Sequence, residues 1–167
     1  MILQYLRLIG QQWRANKDMP HPAGALILPP RAISASEFTV DRRVFSCKQV
    51  NEGNSCIQFK NPSNNLAYTT GYIMKIWQIP LQGYLQTFFV VEEHKQLSLS
   101  DQWKTPFHSM PRFGVSAIDS ASSGRICIIE SHHIVTHLTV YERPAGTYTI
   151  KQNFLLICTS LNRGRRS

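Results

Sequence analysis

The stretch of residues 70–93, TGYIMKIWQIPLQGYLQTFFVVEE, constrains the fold more than any other part of this sequence. It holds two runs of β-prone residues joined by a short connection that contains Pro80 and Gly83. Side chains alternate along a strand, so the first run carries two mainly apolar faces. These faces are Thr70, Tyr72, Met74 and Ile76, and Ile73, Lys75, Trp77 and Ile79. Strands that are apolar on both faces lie inside a sheet or a small barrel, so the stretch predicts a mainly β fold.

Shorter β-prone runs recur along the rest of the chain between turn-forming residues. We predict strands over residues 38–40, 43–50, 55–59, 115–119, 125–129, 132–141 and 153–160, with a turn at SASSG, residues 120–124. Many short strands without βαβ alternation are typical of a barrel or a sandwich. We therefore predict a small SH3-like barrel formed by residues 37–162.

Three segments flank this predicted barrel. In residues 1–17, apolar side chains recur at helical spacing, which predicts a short amphipathic helix over this range. Trp13 belongs to its apolar face. Residues 18–36 contain four prolines, which predict an extended strap with a brief edge strand at 25–28. Residues 163–167 form a short basic tail.

The composition favours one domain with basic character. A chain of 167 residues can bury a sizeable core. Its charged fraction is 17%, below the roughly 25% of typical soluble domains, so we expect part of the surface to be covered by a protein partner or by the remainder of a longer chain. The net charge of +8 favours acidic or phosphate-bearing partners and makes nucleic acid a further candidate.

The cysteines and the apolar runs indicate in which cellular compartment the protein is expected. None of the four cysteines forms a CxxC pair, and Cys127 and Cys158 lie in apolar runs where a small buried side chain is expected. Cys47 and Cys56 flank a turn and could face each other across it, as thiols or as a disulfide. No apolar run approaches the roughly 20 residues that a membrane helix needs, and there is no secretory signal pattern. We expect an intracellular protein without a membrane span.

Histidines offer the main candidates for chemistry. In ESHHIVTH, a strand would direct His133 and His137 to the same face, about 13 Å apart, too far to share a metal. An alternative is a metal-dependent or phosphodiester-acting enzyme that combines His132, His133 or His137 with His94 or His108 and a carboxylate. The sequence contains no GxSxG motif, no glycine-rich phosphate loop and no paired carboxylates on one face. We predict no catalytic residue, no metal site and no cofactor.

Aromatic and basic residues offer candidates for binding. The segment DQWKTPFHSMPRFG, residues 101–114, has the composition of a lid or a recognition loop. Aromatic side chains could form a pocket for a peptide or a methylated lysine, and arginines could contact phosphates. The candidate binding residues are Trp77, Trp103, Phe107, Phe113, Arg112, Arg163, Arg165 and Arg166. The alternatives are core and lid packing for the aromatic residues and a solvated chain end for the tail.

Two resemblances add to this interpretation. The order of YLRLIGQQW, TTGYIMKIWQI, TFFVVEEHKQLS, TPFHSMPRFG, GRICIIESHHIVTHLTVY and PAGTYTIKQNFLLICTSLNRGRR resembles an uncharacterised β domain of large transposon-associated proteins of mushroom-forming fungi. That domain usually sits within a longer chain, so the resemblance implies either a fragment or a degenerate copy of such a chain. The order of the strand segments GYIMKIWQI, TFFVVEEHKQL and IIESHHIVTHLTVY is also similar to the bromo-adjacent homology (BAH-like) modules of chromatin proteins, which are β barrels that bind proteins.

Together these observations predict a mainly β, SH3-like or BAH-like barrel with an N-terminal helix. We predict a non-catalytic interaction module from a mobile-element- or chromatin-associated protein. Its expected partners are a protein or a nucleic acid, and its candidate compartment is the nucleus.

Overall fold

A computed structural model describes residues 2–8, 13–17, 19–64 and 66–159. These residues contain two α-helices, α1, Ile2–Leu8, and α2, Leu99–Trp103. The same described ranges contain eleven strands, which are β1 Trp13–Ala15, β2 Leu26–Leu28, β3 Ile33–Ala35, β4 Glu37–Val40, β5 Arg43–Ser46, β6 Cys56–Asn61, β7 Ala67–Leu81, β8 Tyr84–Gln96, β9 Val115–Glu130, β10 Ile134–Arg143 and β11 Phe154–Thr159. The predicted mainly β class with a short N-terminal helix is confirmed.

Seven strands form one sheet that curls into a barrel-like ring. Their order is β3-β7-β6-β10-β11-β9-β8, and β8 also pairs with β7, so that six of the strands close on themselves. The strand β3 pairs with the end of β7 that extends beyond β6. The predicted strap therefore contributes one strand to the main sheet. Within the described residues, no helix is long and apolar enough to span a bilayer.

The hairpin of β7 and β8 is the predicted central pair. Its two-residue connection, Gln82 and Gly83, has φ angles of 50° and 82°, which suits the tight turns that join twisted antiparallel strands. The pairing shifts register between Ile73 and Lys75. This irregularity places Ile73 and Ile76 in the same buried cluster, whereas strict alternation predicted opposite faces. A bulge adds one residue and so reverses the face of every residue after it.

The largest buried cluster lies between this hairpin and the shorter hairpin of β4 and β5. Phe89 is fully buried there, and its ring makes edge contacts with Phe38 and Phe45 at centroid distances of 5.9 and 6.1 Å. Around these rings pack Cys47, Ile57, Phe59, Ile73, Ile76, Val91, Cys127 and Ile129. All four cysteines are free thiols, and Cys47, Cys56 and Cys127 are buried.

The N-terminal segment covers the outer end of the β7–β8 hairpin. Helix α1 buries Ile2, Tyr5 and Leu6 in a cluster that includes Phe88. The predicted helix extended to residue 17. Instead, Trp13 lies in strand β1, which pairs in parallel with β2, and its side chain is buried. Strand pairing and burial of the indole outweigh the modest helix propensity of this short segment.

Strand β9 is continuous where two strands and a turn were predicted. The polar run SASSG remains in the strand because its serines bond to β8: the Ser122 hydroxyl donates to the Glu92 carboxylate, and the Ser123 hydroxyl donates to the Glu93 carbonyl at 2.5 Å. Gly124, at φ 68°, supplies the local irregularity. A turn-like composition can therefore be held extended when its hydroxyls satisfy a neighbouring strand.

Gly71 marks a close approach of β7 and β8. A Cβ atom at this position would clash with the backbone oxygen of Glu92 and lie 2.8 Å from Cγ1 of Val91. We expect Gly71→Ala to lower the free energy of unfolding by about 1–3 kcal/mol, the range typical of overpacking. Urea denaturation measures this loss, with Ala67→Ser at the exposed start of β7 as the control. Equal midpoints for Gly71→Ala and the unsubstituted chain would contradict this close packing.

Candidate functional site

The aromatic segment, residues 99–114, connects β8 to β9 and consists of consecutive short helical turns. Helix α2 is followed by 3-10 turns at Pro106–Ser109 and Pro111–Phe113. In both 3-10 turns a proline occupies the first position, where its fixed φ suits the turn and its missing N–H costs nothing. Gly114 ends the second turn in the left-handed region, with φ 60°. The prolines and the glycine explain why the sequence forms turns here instead of a strand.

Side-chain hydrogen bonds hold the segment in place. The Ser98 hydroxyl caps α2 by accepting from the backbone N–H of Asp101 at 3.1 Å, and it donates to the Asp101 carboxylate at 2.8 Å. The Lys104 ammonium donates to the other carboxylate oxygen at 2.6 Å. These hydrogen bonds from Lys104 and Ser98 hold the pKa of Asp101 below its ordinary value. The Gln102 amide donates to the Leu97 carbonyl at 2.8 Å.

Two apolar side chains anchor the segment to the sheet. Leu97, just before α2, is buried, and Phe107 packs partly buried against the same cluster. That cluster contains Ala117, Ile150, Phe154 and Leu156. Phe107 also makes an edge contact with Tyr148 at 6.4 Å. These contacts attach the segment to the main sheet.

Other large side chains of the segment face solvent. Trp103 is 71% exposed and Phe113 is 65% exposed, and Leu99 and Met110 are also exposed. The Trp103 ring stacks on His108 with a centroid distance of 5.1 Å and an interplanar angle of 25°. Exposed apolar residues grouped on one surface mark sites of interaction more often than single exposed ones do. Because the exposed Trp103 ring is oriented by its contact with His108, it can stack on a planar group of a ligand.

A groove of about 250 Å³ runs along the base of the segment. Its lining residues are Gln96, Gln102, Thr105, Phe107, His108, Pro111, Gly114, Val115, Ser116 and Ala117. Polar side chains and the partly buried Phe107 ring thus line one concave surface, which includes His108, the residue on which Trp103 stacks. This combination can hold a planar or extended ligand through both stacking and hydrogen bonds.

The charges around the aromatic segment are mainly positive. Lys104, Arg112 and Lys151 are exposed, and Lys151 lies near enough to Asp101 to lower the pKa of that carboxyl. Asp101 is engaged with Lys104, which reduces its repulsion of an anion. The segment therefore combines exposed aromatic rings with a local excess of positive charge.

The predicted binding residues fall into three places. Trp103, Phe107, Arg112 and Phe113 all belong to the aromatic segment. Trp77 instead packs, half-buried, against the cluster under helix α1. The four aromatic residues therefore do not line a single cage. The predicted residues Arg163, Arg165 and Arg166 lie outside the described residues.

The structure adds His108 to the binding candidates, because its ring stacks on Trp103. Leu99 and Met110 join them as further exposed apolar residues of the segment. The sequence could have indicated His108 through its position in the same aromatic run. Its stacking on Trp103, however, depends on the turn between them.

Two of the histidines considered for chemistry lie together beside Glu130. His132 and His133 form a 3-10 turn, whereas a strand was predicted, and the His132 Nδ1 lies 3.8 Å from the Glu130 carboxylate. His133 is buried, and burial together with the charge of His132 lowers its pKa. The Glu130 carboxylate also accepts hydrogen bonds from the Tyr5 hydroxyl at 2.8 Å and the Gln86 amide at 2.9 Å. This cluster joins helix α1 to the sheet.

The other three histidines considered for chemistry lie in separate environments. The Nδ1 of His94 lies 3.0 Å from the Thr70 hydroxyl, and the His137 ring stacks on Phe45 at 4.3 Å. His108 belongs to the aromatic segment. In the part of the chain that the structure describes, no group of three or more histidine, cysteine or acidic residues could hold a metal ion. The geometry thus favours the aromatic segment over the histidines as the functional site.

No protein-family model matches this chain, and comparison with curated proteins and with solved structures gives no significant match.

Proposed function

We propose that this chain is a non-catalytic binding module that holds a single-stranded nucleic acid on the aromatic segment. The observation that carries the proposal is the exposed Trp103, which lies at the end of the Ser98-capped helix α2 and stacks on His108. The same segment carries the exposed Lys104 and Arg112. Proteins that bind single strands combine aromatic side chains, on which bases stack, with positive charge that follows the phosphates.

The balance of charge favours nucleic acid over a protein partner. Tryptophan, methionine and arginine are enriched at protein interfaces as well, so the exposed aromatic residues alone fit both classes. The excess of Lys104, Arg112 and Lys151 over the engaged Asp101, on a chain of net charge +8, adds an attraction for phosphate. An acidic protein is the competing partner that the binding experiment distinguishes.

The biological setting rests on the resemblances alone. Similarity to a β domain of transposon-associated proteins and to BAH-like modules supports a role beside nucleic acid in mobile-element or chromatin biology. It also supports a location in the nucleus and a place within a longer chain. Nucleic-acid binding by the aromatic segment is compatible with that setting but does not depend on it.

Substitution of Trp103 tests the proposal. We expect Trp103→Ala to weaken binding of a fluorescein-labelled oligodeoxythymidine by about 5- to 150-fold, because stacking contributes about 1–3 kcal/mol per base. Fluorescence anisotropy measures the affinity. Since the side chain is 71% exposed, the unfolding midpoint should not change.

Tyr84→Ala is the matched control for this substitution. Tyr84 is 80% exposed at the end of the β7–β8 hairpin, outside the aromatic segment. The Tyr84→Ala substitution should leave the affinity for the oligodeoxythymidine unchanged. Equal losses from both substitutions, or none from Trp103→Ala, would contradict the proposed surface. Binding of polyglutamate with the same dependence on Trp103, without binding of the oligonucleotide, would assign the surface to an acidic protein.

A further inference from the structure

We propose a second binding site, distinct from the aromatic segment, that accepts a lysine or arginine side chain from a basic peptide. It is the acidic groove, defined by Glu52 and Glu142 over a floor of Leu138, Val140 and Leu155. Gly53 and Thr139 complete its lining. Its residues come from the turn before β6 and from the paired strands β10 and β11.

The size of the groove fits one long side chain. Its volume is about 260 Å³, which lies below the roughly 300–1,000 Å³ of pockets that enclose drug-sized ligands. Three aliphatic side chains form its floor, and they belong to, or pack against, a buried cluster with Cys56 and Tyr72. The floor is therefore fixed by the core of the sheet and is not a gap between mobile side chains.

The chemistry of the groove suits a cationic group on an aliphatic stem. Lysine and arginine bury their methylene groups along apolar surface while the charged end stays near water. The Glu52 side chain is 63% exposed, and Glu142 is exposed on the strand position opposite Leu155. A stem lying on Leu155 would thus bring its charged end toward Glu142 at the opposite strand position, and Glu52 lines the same groove.

Lys48 lies close to Glu52 at the acidic groove. The Lys48 ammonium is 3.9 Å from the Glu52 carboxylate and 3.9 Å from the centre of the Tyr72 ring. Lys48 therefore balances part of the charge of Glu52. Among the described residues Glu142 forms no ion pair, so its negative charge is available to a ligand. The Tyr72 hydroxyl also hydrogen-bonds to the Glu52 carboxylate, and the buried Cys56 thiol lies near both Lys48 and Glu52. Glu142 is therefore the less engaged of the two carboxylates.

Charge complementarity identifies the occupant. The chain carries a net charge of +8, yet this groove presents two carboxylates against one lysine. Nucleic acid would be repelled here and attracted to the aromatic segment. A basic peptide has the opposite preference, so the two sites would bind different partners on one module.

Methyl NMR of the full chain tests the second site. The probe is a short capped peptide with a single arginine, and the reference is the same peptide with citrulline. We expect the arginine peptide to shift the methyl signals of Leu138, Val140 and Leu155, and the citrulline peptide to bind more weakly. The variant E52Q/E142Q should weaken binding of the arginine peptide about threefold to tenfold, as expected for loss of exposed charge pairs. Glu37→Gln, on the separate β4–β5 hairpin, should have no effect.

The outcomes separate this proposal from the proposed function. Trp103→Ala should leave peptide binding unchanged, so loss of oligonucleotide binding alone would not affect the second site. Unshifted methyl signals, or equal affinity for arginine and citrulline, would overturn it. Stronger peptide binding after replacing Arg163, Arg165 and Arg166 by glutamine would also overturn it, because the occupant would then be the chain's own basic tail.

Discussion

Replacing Phe89 by alanine should lower the free energy of unfolding by about 3–5 kcal/mol, the range measured when a buried phenylalanine is truncated. The ring is fully buried and touches Phe38 and Phe45, which join the β4–β5 hairpin to the main sheet. Its loss removes apolar contacts on both sides and leaves a cavity that the surrounding strands cannot fill.

The same substitution at Phe113 provides the control. Phe113 is 65% exposed in the aromatic segment, so Phe113→Ala should change the free energy of unfolding by less than about 0.5 kcal/mol. Urea denaturation followed by circular dichroism measures both variants. Similar midpoints for the two variants would contradict the placement of Phe89 between the two hairpins.

Acidification should destabilise the fold through His94. Burial, with a smaller contribution from the charge of Lys48, lowers the pKa of this imidazole to about 4, from 6.5. Within the described part of the chain, its Nε2 has no hydrogen-bond partner, and its ring lies edge-on to Tyr72 at 4.8 Å. The folded state therefore favours the neutral ring.

The sign of the pH dependence follows from the depressed pKa. Between pH 6.5 and about 4 the unfolded chain binds a proton that the folded chain does not, so stability falls as the pH falls. The shift corresponds to a loss of about 3 kcal/mol across this window. His133, whose pKa is also lowered, adds a loss of the same sign.

A substitution at His94 isolates its share of this loss. His94→Gln removes the titrating group and keeps a side chain that can hydrogen-bond to Thr70. Urea denaturation at a series of pH values measures the free energy of unfolding of both chains. Between pH 6.5 and about 4, the unsubstituted chain should lose about 3 kcal/mol more than the variant does. Parallel pH profiles would show that His94 is not held neutral by the fold.

Local pattern predicted the strands of this fold well where pairing is regular. The two runs of residues 70–93 form the β7–β8 hairpin, and the apolar run near the end forms β11. Pattern did not predict the bulge after Ile73, because a register shift depends on the partner strand. It also missed the strand at Trp13, whose partner lies in β2. Both differences arise from contacts made by residues that are separate in sequence.

The candidate sites differ in how far sequence could reveal them. The aromatic segment is contiguous, so its composition alone indicated Trp103, Phe107, Arg112 and Phe113. Trp77 was grouped with them by residue type, yet strand β7 places it under helix α1. The acidic groove combines Glu52 with Glu142, which come together only through the ring of strands. No local pattern could have joined these two glutamates.

A salt titration of oligonucleotide binding tests the central claim most directly. With two or three phosphate contacts from Lys104, Arg112 and Lys151, the logarithm of the association constant should fall with the logarithm of salt concentration with a slope of about −1.4 to −2.1. Trp103→Ala should lower the affinity at every salt concentration and leave the slope unchanged. No binding of a single-stranded oligonucleotide at low salt, despite the net charge of +8, would contradict the assignment of the aromatic segment as a nucleic-acid surface.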